Sequence, residues 1–227
     1  MHMSDGLVNP GTALVFGLIA VIGLAVAVSR ARRDLDDRTA PMAGLVTAFV
    51  FAVQMINFPV LPGASGHLLG GALVAILVGP WVGSMCIAIV LAVQAILFAD
   101  GGLTALGTNV VNMALVGVFT GYLVAVALRR FATRSRGGLV AVAFVAALVN
   151  TVVASLAFVL EYAIGGAGGA TLGTVFGLML GFHVLIGIGE GVITAATVGA
   201  VASVRPDLVH LLRNSTPAPS VRTRRVS

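Results

Sequence analysis

The sequence predicts an all-α integral membrane protein of about seven transmembrane helices, with its N-terminus outside and its C-terminus cytoplasmic. Three observations carry this. Of 227 residues, 59% are hydrophobic and 9% charged, with mean hydropathy +1.09, against about 25% charged in a typical soluble domain. Apolar runs close to the length of a bilayer span recur along the whole chain. The thirteen basic residues are all arginine and fall in a few short clusters beside those runs.

The elements follow in order. The first nine residues contain no Lys or Arg, so the basic start of a secretory signal is missing. His2 is a large residue after the initiator, and Met1 is expected to be retained. Segment 12–29 is apolar and is followed by Arg30, Arg32, Arg33 and Arg38. Segment 41–58 carries Ala48 and Ala52 four apart. A loop with Pro59, Pro62, Gly63 and Gly66 leads to segment 67–79, which is short for a crossing. Gly79-Pro80-Trp81 breaks it from segment 81–98, where Cys86 is the single cysteine. One cysteine excludes an internal disulfide and a cysteine metal cage.

Segment 107–128 holds Gly117 and Gly121 at a spacing that lets helices pack closely in lipid. Arg129, Arg130, Arg134 and Arg136 follow it. Segments 138–163 and 172–203 flank a glycine-rich loop, 164–171. The last carries Gly177 and Gly181, and Gly187 and Gly189 mark a place for a break. Arg205, Arg213, Arg222, Arg224 and Arg225 lie beyond it, among Pro206, Pro217 and Pro219. Residues 1–204 thus read as one transmembrane domain and 205–227 as a basic cytoplasmic tail. Seven crossings place all three arginine clusters on one side, the cytoplasm by the positive-inside rule. The N-terminus and loops 57–66, 99–106 and 164–171 then share the outer side, and none contains an arginine. The charge therefore serves topology and lipid headgroups, not nucleic acid.

Few side chains remain for chemistry. Met1 and His2 place an α-amine, a backbone amide and an imidazole within one chelate, and His67 on the same outer side adds a fourth nitrogen. Nitrogen-rich tetragonal sites suit Ni(II) and, less selectively, Co(II) or Cu(II). Asn57 and Ser65 are candidates to orient an imidazole, or simply cap and turn the chain. Asp5 is a candidate to order the N-terminal loop or meet His2. Asp100 and Asn109 bound a loop, 98–109, that either closes over the site or is an ordinary helix connection. His183 and Glu190, seven apart on one helix face, are intramembrane ionisable groups and so functional candidates. Glu190 falls toward the cytoplasmic end of its helix, where an arginine or a partner subunit would pair with it. Glu161, Asp207 and His210 read as helix-end or tail residues without a role. No phosphate-binding loop is present, so this chain does not hydrolyse ATP itself, and energy for any active transport comes from a partner or an ion gradient.

Four stretches resemble the CbiM/NikM family, the substrate-binding membrane components of energy-coupling factor transporters for cobalt and nickel. They are Met1-His2-Met3-Ser4-Asp5-Gly6, Gly66-His67, residues 98–109 from Phe98 to Asn109, and residues 183–194 from His183 to Thr194. The resemblance implies a seven-helix fold whose N-terminus dips into an outer pocket. It implies metal held by the Met1 amine, the His2 amide and imidazole, and His67. It implies no enzymatic activity in this chain, and partners: a transmembrane coupling subunit, two cytoplasmic ATPases and often a small accessory membrane subunit. The binding subunit would topple in a prokaryotic cell membrane to deliver its cargo, Co(II) or Ni(II), to cobalamin synthesis or a nickel enzyme. The start and the Asp100 loop look nickel-type, residues 189–194 cobalt-type. A gradient-driven secondary metal transporter and a membrane metal-dependent enzyme are the alternatives.

Overall fold

The computed structural model describes residues 1–213; Pro217, Pro219, Arg222, Arg224 and Arg225 of the expected tail lie outside them. The chain is mostly helical, and five helices are long and apolar enough to cross a membrane. They are α1 (Pro10–Asp34), α4 (Pro80–Leu97), the continuous Leu106–Ala127, α8 (Arg136–Gly165) and α9 (Leu172–Val204). Leu106–Ala127 is composite: α5 (Leu106–Asn109), a π-helical stretch Val110–Gly117, and α6 (Val118–Ala127). Two expected segments come out shorter, α2 (Thr39–Gln54) and α3 (Gly71–Val78). A four-residue turn, α7 (Arg129–Ala132), joins α6 to α8.

Local chemistry sets the ends. Asn9 caps α1 by accepting from Thr12 N at 2.9 Å, with Pro10 in the first turn, where its missing N–H costs nothing. Ser135 and Thr171 cap α8 and α9 in the same way. Asp36 accepts from Thr39 N at 2.6 Å and from Thr39 Oγ1 at 2.7 Å, which starts α2. The α3–α4 break is at Gly79, whose φ of 90° suits glycine, followed by Pro80.

The core is built around α3. All eight of its residues are buried, packed among α2, α4, α6 and α8. At 1.5 Å per residue it is about 12 Å long, under half the hydrocarbon thickness of about 30 Å. By contrast α1 exposes Leu14, Leu18, Val21 and Ile22, an apolar face suited to lipid. Gly121 lets α6 approach Ala72 of α3, whose Cα lies 2.7 Å from where a Cβ would stand. Among the described residues nothing comes within 4 Å of where a Cβ on Gly177 or Gly181 would stand, so that pair packs no described helix. The break expected at Gly187 and Gly189 is absent: α9 runs unbroken for 33 residues. Gly187 instead admits Leu148 of α8, and Gly191 admits Phe144.

The helical expectation also misses a small antiparallel sheet of order β1-β3-β2: β1 (His2–Met3), β2 (Phe58–Leu61) and β3 (Ala64–Gly66). Its strands are too short, and too broken by Pro59, Pro62 and Gly63, to show period-2 alternation. It pairs His2 with Ser65 and Met3 with Ala64. It lies at the arginine-free end of the molecule. At the other end the arginine clusters converge: Arg38 approaches Asp207 at 3.9 Å, Arg213 donates to Thr39 Oγ1 at 2.9 Å, and Arg134, Arg136 and Pro206 line one cleft. Residues 206–212 form two 3-10 turns there, with Val209 and Leu211 buried.

Candidate metal-binding site

The first nine residues are threaded into the body of the protein. Met1, His2 and Met3 are buried. Asn109, at the end of α5, holds Met3 with both ends of its amide: Met3 N donates to Oδ1 at 2.8 Å, and Nδ2 donates to Met3 O at 3.0 Å. Gly102 N also donates to Met3 O, at 2.8 Å, and Ser4 N donates to Gly63 O at 2.9 Å. Asn9 N donates to Gly165 O at 2.7 Å, and Ala167 N to Leu7 O at 2.9 Å. Asp5 turns to the 98–109 loop rather than to His2, accepting from Thr104 N at 2.7 Å and Thr104 Oγ1 at 2.6 Å. Those bonds hold its carboxyl below the usual range.

The loop does close over the N-terminus. Gly101 and Gly102, glycines of the 98–109 stretch that allow close backbone approach, make this possible. A Cβ on Gly101 would stand 3.1 Å from His2 Cδ2, and its φ of 86° is a glycine conformation. A Cβ on Gly102 would collide with the backbone of Ser4 and Asp5.

Two imidazoles meet beneath this cover. The His2 and His67 ring centroids are 4.4 Å apart, with planes tilted by 36°. His67 Nδ1 donates to Leu68 O at 2.8 Å, which fixes the tautomer and leaves Nε2 with a lone pair. That Nε2 is buried and has no hydrogen-bond partner. His2 Nδ1 approaches Asp100 Oδ1 at 3.1 Å, off the line of a hydrogen bond, so both ring nitrogens of His2 are also unpartnered. Asp100 Oδ2 accepts from Asn57 Nδ2 at 2.7 Å. Ser65 stands opposite His2 in the strand pair, with its hydroxyl buried and unpartnered.

Burial sets the protonation of this cluster. Desolvation drives the Met1 amine well below its ordinary value, against the opposing pull of Asp100. Desolvation also lowers the His2 imidazole, opposed by Asp100. Burial pushes Asp100 up, but its contact with His2 and the charges of His2 and the amine outweigh that, so its carboxyl sits low. The result is a neutral amine and imidazoles with free lone pairs beside an ionised carboxylate. That set is suited to a divalent cation. Among the described residues no three His, Cys, Asp or Glu side chains gather closely enough to hold a metal. Coordination here needs backbone and terminal nitrogens as well.

His183 and Glu190 do not join the two imidazoles. His183 Nδ1 bonds Met179 O at 2.7 Å, with Nε2 buried and unpartnered. Among the described residues Glu190 forms no ion pair with an arginine; it binds the backbone just after His67 and the side chains of Asn150 and Thr151. Glu161, read as a plain helix-end residue, is buried and accepts from Asn112 Nδ2 at 2.6 Å. Three further polar residues escaped the sequence reading. Gln94 stands beside His2, Gln54 Nε2 donates to Leu69 O at 2.7 Å, and Asn112 lies in the π-helical stretch. Their signal was an uncharged amide inside an apolar run, where polar groups are costly.

The chain is similar to known proteins along nearly its whole length. Residues 2–208 match the family described as the cobalt uptake substrate-specific transmembrane region. The chain is 39% identical over 210 residues to a putative fused nickel transport protein of Archaeoglobus fulgidus, covering 92% of this chain and 68% of that one. It is 37% identical to a putative metal transport protein of Haloquadratum walsbyi, covering 98% and 100%. With the cobalt transport protein CbiM of Sorangium cellulosum it shares 31%, covering 94% and 96%. The crystal structure of a transition metal transporter superposes with a TM-score of 0.79 at 27% identity, covering 95% of this chain and 97% of that one.

Proposed function

Because the chain belongs to the CbiM family of cobalt-uptake substrate-specific transmembrane components, we propose that it captures Co(II) or Ni(II) at the arginine-free face through four nitrogens. These are the Met1 amine, the His2 amide, the His2 imidazole and His67 Nε2. The observation that carries the reading is the burial of an N-terminal amine beside two imidazoles, with both ring nitrogens of His2 and Nε2 of His67 lacking a hydrogen-bond partner. An unpaired buried polar group costs about 1–3 kcal/mol, and a cation bound by His2 Nδ1 and His67 Nε2 relieves two of them.

The chelate has a definite order. Amine and amide of residues 1 and 2 close a five-membered ring on the metal, and the amide and Nδ1 of His2 close a six-membered one. His2 Nδ1 is the atom facing Asp100, so loading turns that ring away from the carboxylate. Asp100 and Asn57 attract and orient the incoming cation, Asn109 and Asp5 hold the N-terminal strand, and Ser65 lies opposite His2.

The chain crosses the membrane seven times, with α2 and the protein-enclosed segment 67–79, of which α3 is the helical part, supplying the two shorter passages. Its arginine-rich face is cytoplasmic. There it meets a transmembrane coupling subunit and two ATPases, with a small accessory membrane subunit at its side, and ATP hydrolysis by those partners drives delivery inward. The chain itself catalyses no reaction. The transmembrane domain is 1–204, and 205–227 is its basic cytoplasmic tail.

The test is metal titration of the untagged protein beside a form extended by one residue before Met1. Extension turns the Met1 amine into an amide and adds a residue where Met1 is already fully buried, so tight binding in this site should be lost. An extended protein that binds Co(II) and Ni(II) as tightly as the unextended one refutes the chelate.

A further inference from the structure

The backbone that follows His67 is held from several sides. Glu190 Oε2 accepts from Leu69 N at 2.7 Å and Thr151 Oγ1 at 2.9 Å. Its Oε1 accepts from Gly70 N at 3.0 Å and Asn150 Nδ2 at 2.9 Å. Gln54 holds Leu69 O, and His67 itself holds Leu68 O. Glu190 is buried and comes from α9, Asn150 and Thr151 come from α8, and Gln54 ends α2. Each main-chain polar group that these bonds name lies within three residues of His67.

We propose that Glu190 is a positioning residue for His67: its carboxylate clamps Leu69 and Gly70 and so fixes where the His67 imidazole stands for the metal. The inference rests on His67 being a ligand, as set out above. Three N–H groups and the Thr151 hydroxyl, which also stands 2.9 Å from Ala147 O, occupy the four acceptor positions of the two oxygens, so the arrangement leaves no oxygen open. A proton-carrying carboxylate of a gradient-driven transporter needs an open side facing a path, and this one has none.

The clamp is also specific in shape. Gly70 has φ of 78° and is the residue before α3. A Cβ there would stand 2.8 Å from Val50, and one on Gly71 would stand 2.5 Å from Asn150 Oδ1. The loop is therefore confined by packing in front and hydrogen-bonded behind. Glutamine at 190 keeps the volume but turns one oxygen into an NH2 that faces a main-chain N–H, that of Leu69 or of Gly70, whichever way the amide is placed. The loop must then shift, and His67 with it.

The experiment is calorimetric titration of Ni(II) into the untagged full chain in detergent, for wild type, Glu190→Gln, His67→Ala and the double variant. Visible absorption of each Ni(II)-loaded form is recorded as well. Glu190→Gln should weaken binding about 10- to 100-fold, as loss of a group that orients a metal ligand does, and should change the absorption band. In the His67→Ala background, where three nitrogens remain, it should cost no more than about twofold, the scatter of independent changes. A simple structural role makes the two losses multiply, and that result overturns the proposal. So does a Glu190→Gln protein with wild-type affinity and spectrum. If Glu190→Gln does not fold, Thr151→Val removes one of the four donors. It should then cost about fivefold in the wild-type background and nothing with His67→Ala; equal losses in both refute the clamp. Failure of wild type to bind Ni(II), or wild-type affinity in His67→Ala, overturns the metal-capture reading itself and this inference with it.

Discussion

Replacing Asn109 with alanine should undock the N-terminal strand and weaken metal binding without unfolding the helices. Asn109 is buried and gives Met3 two hydrogen bonds, at 2.8 and 3.0 Å. Met3 O keeps its bond from Gly102 N, but Met3 N is left with nothing. An abandoned buried donor costs about 1–3 kcal/mol, and the bond lost at the carbonyl adds about 1 kcal/mol. The docked state thus loses about 2–4 kcal/mol, about 30- to 700-fold in the docking equilibrium. Ordering residues 1–9 costs about 1–2 kcal/mol per residue, of the same order as burying Met1, Met3, Leu7 and Val8. Docking is therefore finely balanced, and a loss of this size is felt as a smaller binding-competent fraction, which scales the apparent Kd directly. Calorimetric titration with Ni(II) measures the Kd, and hydrogen exchange at the Met3 amide measures docking. Both should change together in Asn109→Ala. Asn109→Asp, nearly isosteric, keeps the acceptor for Met3 N but sets an oxygen against Met3 O, and should fall between. Unchanged affinity with an exchanging Met3 amide would show that the strand need not be docked to bind metal, and the reasoning would fail.

Two other outcomes follow from the same geometry. The Met1 amine and His2 are both lowered by burial from ordinary values of 8.0 and 6.5. The docked state thus binds fewer protons than a free N-terminus, so docking and metal affinity strengthen as pH rises and are lost as it falls below those ordinary values. Titration across pH 5 to pH 8 checks this (roughly the span in which such groups switch); affinity that rises on acidification contradicts it. Glu161→Gln should leave thermal stability unchanged or raised. Asn112 already donates to Glu161 Oε2, while Asn112 Oδ1 and Glu161 Oε1 are buried without a donor. A glutamine amide can supply that donor, whereas Glu161→Ala should lower the thermal midpoint. A midpoint that falls equally in both would mean that the carboxylate acts as a charge.

The long helices were legible because lipid requires about 20 apolar residues in a row, and α1, α4, α8 and α9 supply them. The same rule hides the difference between α1 and α3. Both are apolar, yet α1 faces lipid while α3 is enclosed by protein, because a bilayer and a protein interior select the same side chains. Met1, His2 and His67 were visible as rare nitrogen donors in an apolar chain. Asp100 and Asn109 were visible only as the ends of a polar loop; their partners, His2 and Met3, are more than a hundred residues distant or nearly so. Glu190 was visible as a buried charge, but position along its helix pointed to the arginine-rich end. The bonds to Leu69 and Gly70 join main chain to side chain across some 120 residues, and no local pattern encodes such a pairing.

The threading of residues 1–9 through the helices has a further meaning. The strand β1 adds to β3 by main-chain pairing, and Met1 and Met3 fill interior pockets while Asn109 reads the backbone between them. This is how a receptor holds an extended peptide. The protein is, in effect, its own peptide complex, joined by the turn at Gly6 and the start of α1. On the proposed chelate, metal recognition divides between a receptor made of helices and a nine-residue cognate carried in cis, and each half can vary its sequence while the other keeps the geometry.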